Sequence, residues 1–515
     1  MGFSASLLTY VLLFAVVYVF YGAYWRLYLS PIAKFPGRKL AALTFWYEFY
    51  YDYIRGGLYV YEIEKMHKEF GPIIRINPYE LSVNDTDLDF INRLYPSIGS
   101  EVDKFWWSAA MFAYKDQTFA TISHRLHKAR RAAFSKFFSP TYIRRLEPLL
   151  KDLVNSMLGK ITEGIEAGKA INLQHVYAAF TQDVITEYCF SNNRHVLEEK
   201  DFAPHWYEWI QIHCTFTPLI KKFPRLIPLL NKLPDWLVKA TNDPLWLIRV
   251  QEAEYIRQIR GVIDGGEKDT TSHITIFHEI LNEPSLPPSE KTERRMMAEA
   301  VAFVGAGTLT SSHMLTLTTY FVLANPVILK NLLTELETAM PDPASEPSQH
   351  VFESLPYLNA VMDEGFRLSY GSMHRLSRSH PDESLKFRGW VIPPGTAVAT
   401  SAYLIHTNPE IFPEPRTFKP ERWLNLEPKE RQHLRSYLNN FGRGTRQCVG
   451  MRLAYAEIYL TLGYLFRRLG NRLKLFDTEY ERDIEYVHDY FIPAARKQSR
   501  GCRVVEKSGA GSNKC

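Results

Sequence analysis

Apolar residues recur every three or four positions along much of the chain, the spacing that places them on one face of an α-helix. The longest such stretches predict helices over 141–165, 172–190, 291–325, 327–340, 355–369 and 450–469. Stretches typical of strands are short, and they predict strands within 73–83, 385–400 and 472–476. We therefore predict a mainly α-helical protein with small β-sheets (α+β), built as a single large domain.

The N-terminus has a different pattern, because residues 1–25 contain no charged side chain and 7–25 are almost all apolar or aromatic. Nineteen helical residues span roughly 28 Å, close to the thickness of the hydrocarbon core of a membrane. A cleaved signal peptide is the alternative, but a basic start and a small-residue cleavage site are not evident. Arg26, Lys34, Arg38 and Lys39 follow the apolar stretch. We predict a transmembrane signal anchor over 1–25, a single pass through the endoplasmic reticulum membrane, with the main domain in the cytosol.

Beyond the anchor, the chain shows one long folding unit. Pro31, Pro36 and Gly37 predict a stiff hinge over 26–40. The main domain follows over 41–505, with surface loops expected at 264–273 and 341–349 and a disordered tail over 506–515.

Composition narrows the function mainly by exclusion. The formal net charge is +5, from 61 basic and 56 acidic residues, and no nucleic-acid-binding motif is present. We therefore expect no nucleic-acid partner. The cysteines at 189, 214, 448, 502 and 515 are odd in number and lack CxxC spacing. This pattern indicates a reducing compartment without a disulfide framework.

Cys448 lies in the sequence FGRGTRQCVG, residues 441–450. It has three interpretations: a buried structural thiol, a redox or nucleophilic thiol, and a metal-bound thiolate. Gly444 and Gly450 would let the backbone approach a flat cofactor, and Arg446 can pair with an anionic group on its rim. A helix predicted from residue 451 would direct its N–H groups at the sulfur. These surroundings favour the metal-bound thiolate.

The same residues resemble the haem-ligand loop of the cytochrome P450 family, whose pattern FxxGxRxCxG is matched by Phe441, Gly444, Arg446, Cys448 and Gly450. Other motifs resemble the family in the same order along the chain. EGFR contains Glu364 and Arg367 of an ExxR helix, and PERW contributes Arg422. AGTLTSS, 306–312, resembles the oxygen-binding groove, and HKARRAAFSKFFS, 127–139, resembles the basic helix of fungal members.

The resemblance implies a cytochrome P450 fold and a catalytic domain that binds haem b, with Cys448 as the axial thiolate ligand of the iron. It implies that the haem propionates are bound by His127, Arg131, Arg378 and Arg446, and that the oxygen groove is formed by Ala306, Gly307 and Thr310. Gly307 would leave space for a bent groove, and Thr310 would offer a hydroxyl to oxygen. Taken alone, AGTLTSS is more typical of small-residue helix packing, and its position in order among the other motifs is what favours the oxygen groove. Glu364, Arg367 and Arg422 are expected to form a structural ion-pair triad.

One position departs from the family pattern. Leu309 stands where the family usually has an acid before the groove threonine. Thr308, Thr310, Ser311 and ordered water then remain as candidates for proton delivery. Hydroxylation is the first hypothesis. A non-oxygenating isomerase or dehydratase on the same fold and a catalytically silent haem-binding protein remain alternatives.

The resemblance further implies a monooxygenase that uses O2 and receives electrons from a separate NADPH-cytochrome P450 reductase, because no flavin or nicotinamide motif is present. Arg125, Lys128 and Lys136 could contact that reductase. RLSYGSMHRLSR resembles fungal secondary-metabolism members, especially the group around trichodiene oxygenases. We expect hydroxylation or epoxidation of a hydrophobic small molecule, first a terpenoid or meroterpenoid and second a polyketide or alkaloid. Its pocket is predicted to include Phe105, Trp106, Phe303, Met373 and Phe491.

Overall fold

Helices make up most of the chain in the computed structural model, which describes residues 2–190, 195–264 and 275–507. The helices are α1 Gly2–Tyr24, α2 Lys39–Leu43, α3 Trp46–Phe49, α4 Tyr59–Phe70, α5 Leu88–Leu94, α6 Trp106–Ala109, α7 His124–Ser135, α8 Pro140–Glu166, α9 Leu173–Cys189, α10 Pro204–Thr215, α11 Thr217–Lys222, α12 Leu226–Leu230, α13 Asp235–Thr241, α14 Asp243–Ile263, α15 Ile276–Asn282, α16 Glu293–Ala324, α17 Pro326–Ala339, α18 Gln349–Glu353, α19 Pro356–Ser369, α20 Ala402–His406, α21 Pro428–Arg435 and α22 Met451–Leu469. Helices are therefore present in all six ranges where the apolar spacing predicts them.

The strands are short and form small sheets. They are β1 Ile73–Asn77, β2 Glu80–Val83, β3 Asp103–Lys104, β4 Ile171–Asn172, β5 Arg378–Ser379, β6 Leu385–Phe387, β7 Trp390–Ile392, β8 Ala397–Ala399, β9 Leu473–Leu475, β10 His488–Tyr490, β11 Ile492–Ala494 and β12 Arg503–Glu506. One sheet has the order β1-β2-β8-β5-β3, in which β2 and β8 are parallel and the other pairs antiparallel. A second has the order β4-β12-β9, and β6-β7 and β10-β11 pair separately. The mainly α fold class with small sheets is confirmed.

The long helix α16 runs through the centre of the molecule. It packs against α9, α14, α19 and α22, which explains why apolar and small residues occur on all its faces. Its ends are set by local chemistry. The Thr292 hydroxyl accepts a hydrogen bond from the Arg295 amide at 3.4 Å, and Asn325 leads into α17, whose first residue is Pro326. This helix places the stretch 306–312 beside α22, which follows Cys448.

The N-terminal helix is exposed over residues 7–21. A π-helical turn, Trp25–Leu29, continues α1 past the predicted end at residue 25. Leu7–Leu29 is long and apolar enough to cross a membrane and is not buried against the rest of the chain. Glu293–Ala324 meets the same length and hydropathy criterion, but 72% of its most apolar window is buried in the protein. The second segment is thus a core helix.

The C-terminal tail begins later than predicted. Glu506 belongs to β12, where it pairs with Leu473 of β9, and it forms an ion pair of 2.7 Å with Arg472. The strand ladder and this ion pair hold residue 506, which corrects the predicted boundary. Residues 508–515 of the predicted tail lie outside the described residues, as do 265–273 of the predicted loop at 264–273.

Candidate active site

A cavity of about 370 Å³ lies between α10, α16, α19 and the loop that leads into α22. Its lining includes twelve residues that the sequence predicts for the site: His127, Arg131, Phe303, Ala306, Gly307, Thr310, Arg378, Phe441, Arg446, Cys448, Gly450 and Phe491. Stretches as distant in sequence as 127–131 and 441–450 therefore meet around one space of the size expected for a small-molecule site.

Cys448 is exposed towards this cavity. Its backbone amide donates to the Phe441 carbonyl at 2.8 Å, which closes the loop, and α22 begins three residues after the cysteine. Burial raises the pKa of the Cys448 thiol. The amides of Gly450 and Met451 and the charge of Arg131 act in the opposite direction. The site thus contains groups that stabilise a thiolate, although burial alone favours the thiol.

Gly444 has a different role from the one predicted. It does not line the cavity in the described part of the chain. Its φ is +70°, and a Cβ there would lie 2.5 Å from the Tyr95 carbonyl oxygen and 2.6 Å from that of Pro96. The Thr445 amide donates to the same Pro96 carbonyl at 3.1 Å. Gly444 therefore lets the loop pack against the 95–96 backbone, which corrects its assignment as a cofactor contact.

Four basic side chains predicted for the site converge beside Cys448. His127 and Arg131 are one turn apart on α7, and the Arg131 guanidinium donates to the Gln447 carbonyl at 2.6 Å. Arg446 donates to the carbonyls of Thr121 and Ile122 at 2.7 and 2.6 Å, while its Nε has no partner among the described residues. Arg378 lies in β5 and donates to nearby carbonyls.

In the described ranges none of the three arginines forms an ion pair with a carboxylate. Burial and the neighbouring charge of Arg378 lower the pKa of Arg446 to about 9. Burial also lowers the pKa values of Arg131 and Arg378. Buried cations are ordinarily paired, so this wall of the cavity is suited to an anionic ligand group.

Lys104 is a fifth basic side chain at this wall, and the sequence did not predict it. Its side chain is 4% exposed, lines the cavity, and lies 3.6 Å from the centre of the Phe119 ring. Burial, Arg378 and Arg446 hold its pKa well below the ordinary lysine value. The two-residue strand β3 contains it, and so short an element has no periodicity that could have revealed it.

The predicted oxygen groove lies on α16. The Thr310 hydroxyl donates to the Ala306 carbonyl at 2.8 Å, and both residues line the cavity. A Cβ on Gly307 would lie 2.8 Å from the Ile185 side chain. Gly307 therefore permits close packing of α9 against α16, and helix α16 is assigned without interruption through 293–324. Gly307 therefore has a packing role against Ile185, and it also lines the cavity where the oxygen groove is predicted.

Three of the five predicted pocket residues lie elsewhere. Phe303 and Phe491 line the cavity, whereas Phe105, Trp106 and Met373 do not. Phe105 packs with Trp107 and Ala397, and Trp106 is 48% exposed at the start of α6. Met373 is fully buried in a separate cluster that includes Tyr59 and Tyr403. The assignment of these three to the pocket is therefore corrected.

Part of the cavity wall is aromatic. Phe112 packs edge-on against Phe119 and Phe491, with ring centres 4.9 and 5.3 Å apart. All three rings line the cavity.

The predicted triad lies in the core on the α19 side. Arg367 binds both carboxylate oxygens of Glu364, at 2.9 and 2.7 Å, and neither side chain is exposed. Arg422 reaches Glu364 Oε1 at 3.4 Å, and the Trp423 indole donates to Oε2 at 2.9 Å. Arg367 also donates to three carbonyls between residues 406 and 417. This arrangement ties α19 to the chain segment that precedes the Cys448 loop.

Glu457 is a second functional candidate that the sequence reasoning missed. It lies on α22, is 2% exposed, lines the cavity and hydrogen-bonds the hydroxyl of Ser311 on α16. Burial raises its pKa to about 8, with Ser311 acting in the opposite direction. On sequence alone, Glu457 resembles one polar position of an amphipathic helix.

Comparison with known proteins agrees with this geometry. A family model described as Cytochrome P450 matches residues 42–480. Cytochrome P450 monooxygenase MO6277 of Ascocoryne sarcoides is 38% identical over 94% of this chain and 95% of its own length. Tryptophan 6-hydroxylase fscE of Fusarium equiseti is 39% identical over 93% of each chain. Cytochrome P450 monooxygenase oblB of Emericella variicolor is 37% identical over 93% of this chain and 89% of its own length.

Proposed function

The chain belongs to the cytochrome P450 family and is a monooxygenase, and from that premise we propose that it hydroxylates or epoxidises a hydrophobic small molecule of secondary metabolism. The observation that carries the proposal is the single cavity bordered by Cys448, by basic side chains and by the Ala306–Thr310 stretch of α16. The catalytic unit is proposed to span 41–506, behind a hinge over 26–40.

The residues present fit a haem. Cys448 supplies a thiolate ligand, and the cations without acidic partners suit two propionates. The proposed propionate contacts are His127, Arg131, Arg378, Arg446 and the newly found Lys104. Phe441 and Gly450 border the cysteine in the cavity wall. A thiolate-bound haem, when present, supplies the activation of dioxygen and the transfer of one oxygen atom to a C–H bond or an alkene.

The protein must also hold and move protons. Thr310 offers its hydroxyl to the cavity, while Leu309 carries no proton and is buried against Trp209, Ile210 and Ile492. We propose that Glu457 provides the missing acid. Below about pH 8 its carboxyl keeps a proton, which it can donate to the Ser311 oxygen next to Thr310.

Electrons are proposed to come from a separate NADPH reductase. Arg125 and Lys128 are exposed on α7, and Lys136 follows the helix. Arg125 is paired with Glu101 at 2.7 Å and Lys136 with Glu279 at 2.6 Å. These internal partners reduce the charge that both offer to a reductase, so we assign Lys128 the larger share of any electrostatic contact.

We propose that α1 anchors the protein in the endoplasmic reticulum membrane with the catalytic domain in the cytosol. The exposed apolar segment Leu7–Leu29 and the basic residues from Arg26 onward support this arrangement.

The proposed substrate is a terpenoid or meroterpenoid. The apolar and aromatic lining, including Phe112, Val301, Phe303 and Ile492, supports a largely hydrophobic molecule. A second candidate is a nitrogen-containing aromatic of the alkaloid type, which the similarity to a tryptophan 6-hydroxylase favours. A polyketide is a further candidate within the same reaction class.

The test begins with the haem ligand. We expect the reduced, CO-treated protein to show the absorption of a thiolate-bound haem, Cys448→Ser to lose it, and Cys214→Ser to keep it. Cys214 is the matched control because it also lines the cavity. Turnover with heavy-isotope dioxygen should place one labelled atom in the product. An unlabelled, rearranged product would favour an isomerase or dehydratase, and an unchanged spectrum in Cys448→Ser would refute the ligand assignment.

A further inference from the structure

One face of α10 forms a roof over the cavity. Trp209, Ile210, His213 and Cys214 all line the space. Trp209 packs with Leu309, the residue that precedes Thr310, and with Ile492. His213 lies one helical turn beyond Trp209, about 6 Å along the axis, with ring centres 5.9 Å apart. The roof therefore extends from the proposed reaction site towards the far side of the cavity.

Two nitrogen atoms in this roof lack hydrogen-bond partners among the described residues. Trp209 is 3% exposed, and within the described ranges neither its Nε1 nor the Nδ1 of His213 is paired. An unpaired buried polar group costs about 1–3 kcal/mol, and buried polar groups in folded proteins are nearly always satisfied. Both residues border the cavity, so a molecule that fills it is the natural source of the missing partner.

The neighbouring tyrosine is already engaged. The Tyr114 ring stacks on His213, with centres 6.1 Å apart and planes 7° from parallel. Its hydroxyl donates to the carboxylate of Glu252 on α14. Tyr114 therefore provides an aromatic wall beside His213, while the proton on its oxygen is used elsewhere.

The roof offers hydrogen bonding without net charge. Burial lowers the pKa of His213 to about 4, so the imidazole is neutral at physiological pH, with one donor and one acceptor nitrogen. The described basic side chains of the cavity lie together on the wall near Cys448, where the arginines carry the positive charge: Lys104, His127, Arg131, Arg378 and Arg446. The roof thus suits a carbonyl or hydroxyl group better than a carboxylate.

We propose that Trp209 and His213 bind an uncharged oxygen atom of the substrate. The substrate is therefore an apolar skeleton that already carries a carbonyl or hydroxyl group. This inference rests on the proposed monooxygenase function and narrows its substrate class. The reaction that supplies the substrate must leave oxygen on the skeleton, as an earlier oxygenation or a carbonyl-retaining condensation does. A bare hydrocarbon would leave both nitrogen atoms unpaired.

The test uses two small probes of similar shape, cyclohexanone and methylcyclohexane, on the full-length, detergent-solubilised holoenzyme. Dissociation constants are measured by calorimetry for the wild type, His213→Phe, Trp209→Phe and Cys214→Ala. His213→Phe keeps an aromatic ring against Tyr114 and removes both nitrogen atoms of the imidazole ring. Cys214→Ala is the control, since it changes the same cavity wall without removing the proposed hydrogen-bonding nitrogens.

We expect His213→Phe and Trp209→Phe to weaken cyclohexanone binding by about twofold to tenfold each, the worth of a hydrogen bond. Methylcyclohexane should bind each variant within twofold of the wild type, and Cys214→Ala should affect both probes equally. Equal changes for the two probes, no change for either, or failure of cyclohexanone to bind the wild type would each overturn the inference. The inference would also be overturned if the two roof variants weakened the binding of a carboxylate probe, cyclohexanecarboxylate, more than that of cyclohexanone.

The measurement is independent of turnover and of the proposed haem ligand. The CO-treated spectrum of every variant is recorded alongside the binding data. If the variants show the thiolate-type spectrum but no loss of affinity specific to the ketone, only the roof inference is refuted. If the wild type itself lacks the thiolate-type spectrum, the proposed function is refuted.

Discussion

Lys221 of α11 enters a buried network of charges that holds the roof of the cavity in place. Its ammonium group donates to the carboxylate of Glu48 in α3. Arg375 donates to the same Glu48 oxygen at 2.7 Å and to Glu80 in β2 at 3.1 Å. All four side chains are at most 5% exposed. Because α11 follows α10 almost directly, this network fixes the helix that carries Trp209 and His213.

Replacing Lys221 with methionine should remove one partner of a buried ion pair while keeping most of the side-chain volume. Such a change costs about 3–5 kcal/mol, and the lower end applies because Glu48 keeps Arg375 and the Trp107 indole at 3.1 Å. An unfolding entropy of about 2 cal/mol/K per residue gives about 1 kcal/mol/K for a unit of roughly 465 residues. We therefore expect Tm to fall by about 3 °C.

A double-mutant cycle isolates the pair. Lys221→Met, Glu48→Gln and the double variant are compared by thermal unfolding, and the loss in the double variant should be smaller than the sum by about 1 kcal/mol or more. Lys232→Met is the matched control, an exposed lysine in the same region whose replacement should change stability by less than about 0.5 kcal/mol. If Lys221→Met is as stable as the wild type, or if the two losses simply add, the buried ion pair does not stabilise the fold as argued.

Two further predictions concern the Cys448 loop and α22. Gly444→Ala should lower stability by about 2 kcal/mol or more and weaken haem retention, because its backbone is left-handed and the new Cβ would collide with the Tyr95 and Pro96 carbonyls. Gly389→Ala is the control, since Gly389 has a φ of +82° but no described atom within 4 Å of the added Cβ, and it should lose less stability. Equal losses of stability in the two variants would refute the proposed collision. The raised pKa of Glu457 means that product formed per NADPH should fall as pH rises through about 8. Stability should fall as pH rises from 4.5, the ordinary carboxyl pKa, towards about 8, because the unfolded chain loses this proton first, and the loss should level off above about pH 8. Glu457→Gln should remove that pH dependence and gain Tm relative to the wild type between pH 6 and pH 9; a retained transition would exclude Glu457 as the proton source.

The elements that could be predicted from sequence are those whose signals are local. Helix α16 shows its apolar residues over 32 positions, and the loop of Cys448 shows its chemistry within ten residues. The acid and base of the Glu364–Arg367 pair are three residues apart on one helix, so their contact follows from helix geometry. In each case the partners lie within the reach of one element.

The features that were missed depend on contacts between distant parts of the chain. Lys104 meets Arg378 and Arg446 only because β3 pairs with β5 and the Cys448 loop packs beside them. Phe105 and Trp106 are aromatic and lie in the expected stretch, but neither lines the cavity, and residues from 112 onward line it instead. The direction in which a side chain points within an irregular segment is fixed by tertiary packing and has no periodic signal.

Burial discharges some ionisable groups of this cavity and leaves others charged. This difference explains how one cavity can suit both an anionic cofactor edge and an uncharged substrate. Histidine and glutamic acid have ordinary pKa values close enough to neutrality that burial discharges them, as for His213 and Glu457. Arginine starts so far above neutrality that Arg378 and Arg446 remain cationic even with lowered pKa values. Positive charge therefore persists on the wall beside Cys448, where an anionic cofactor edge is required. The roof keeps hydrogen-bonding capacity without charge, which is the property that the proposed apolar, oxygen-bearing substrate would use.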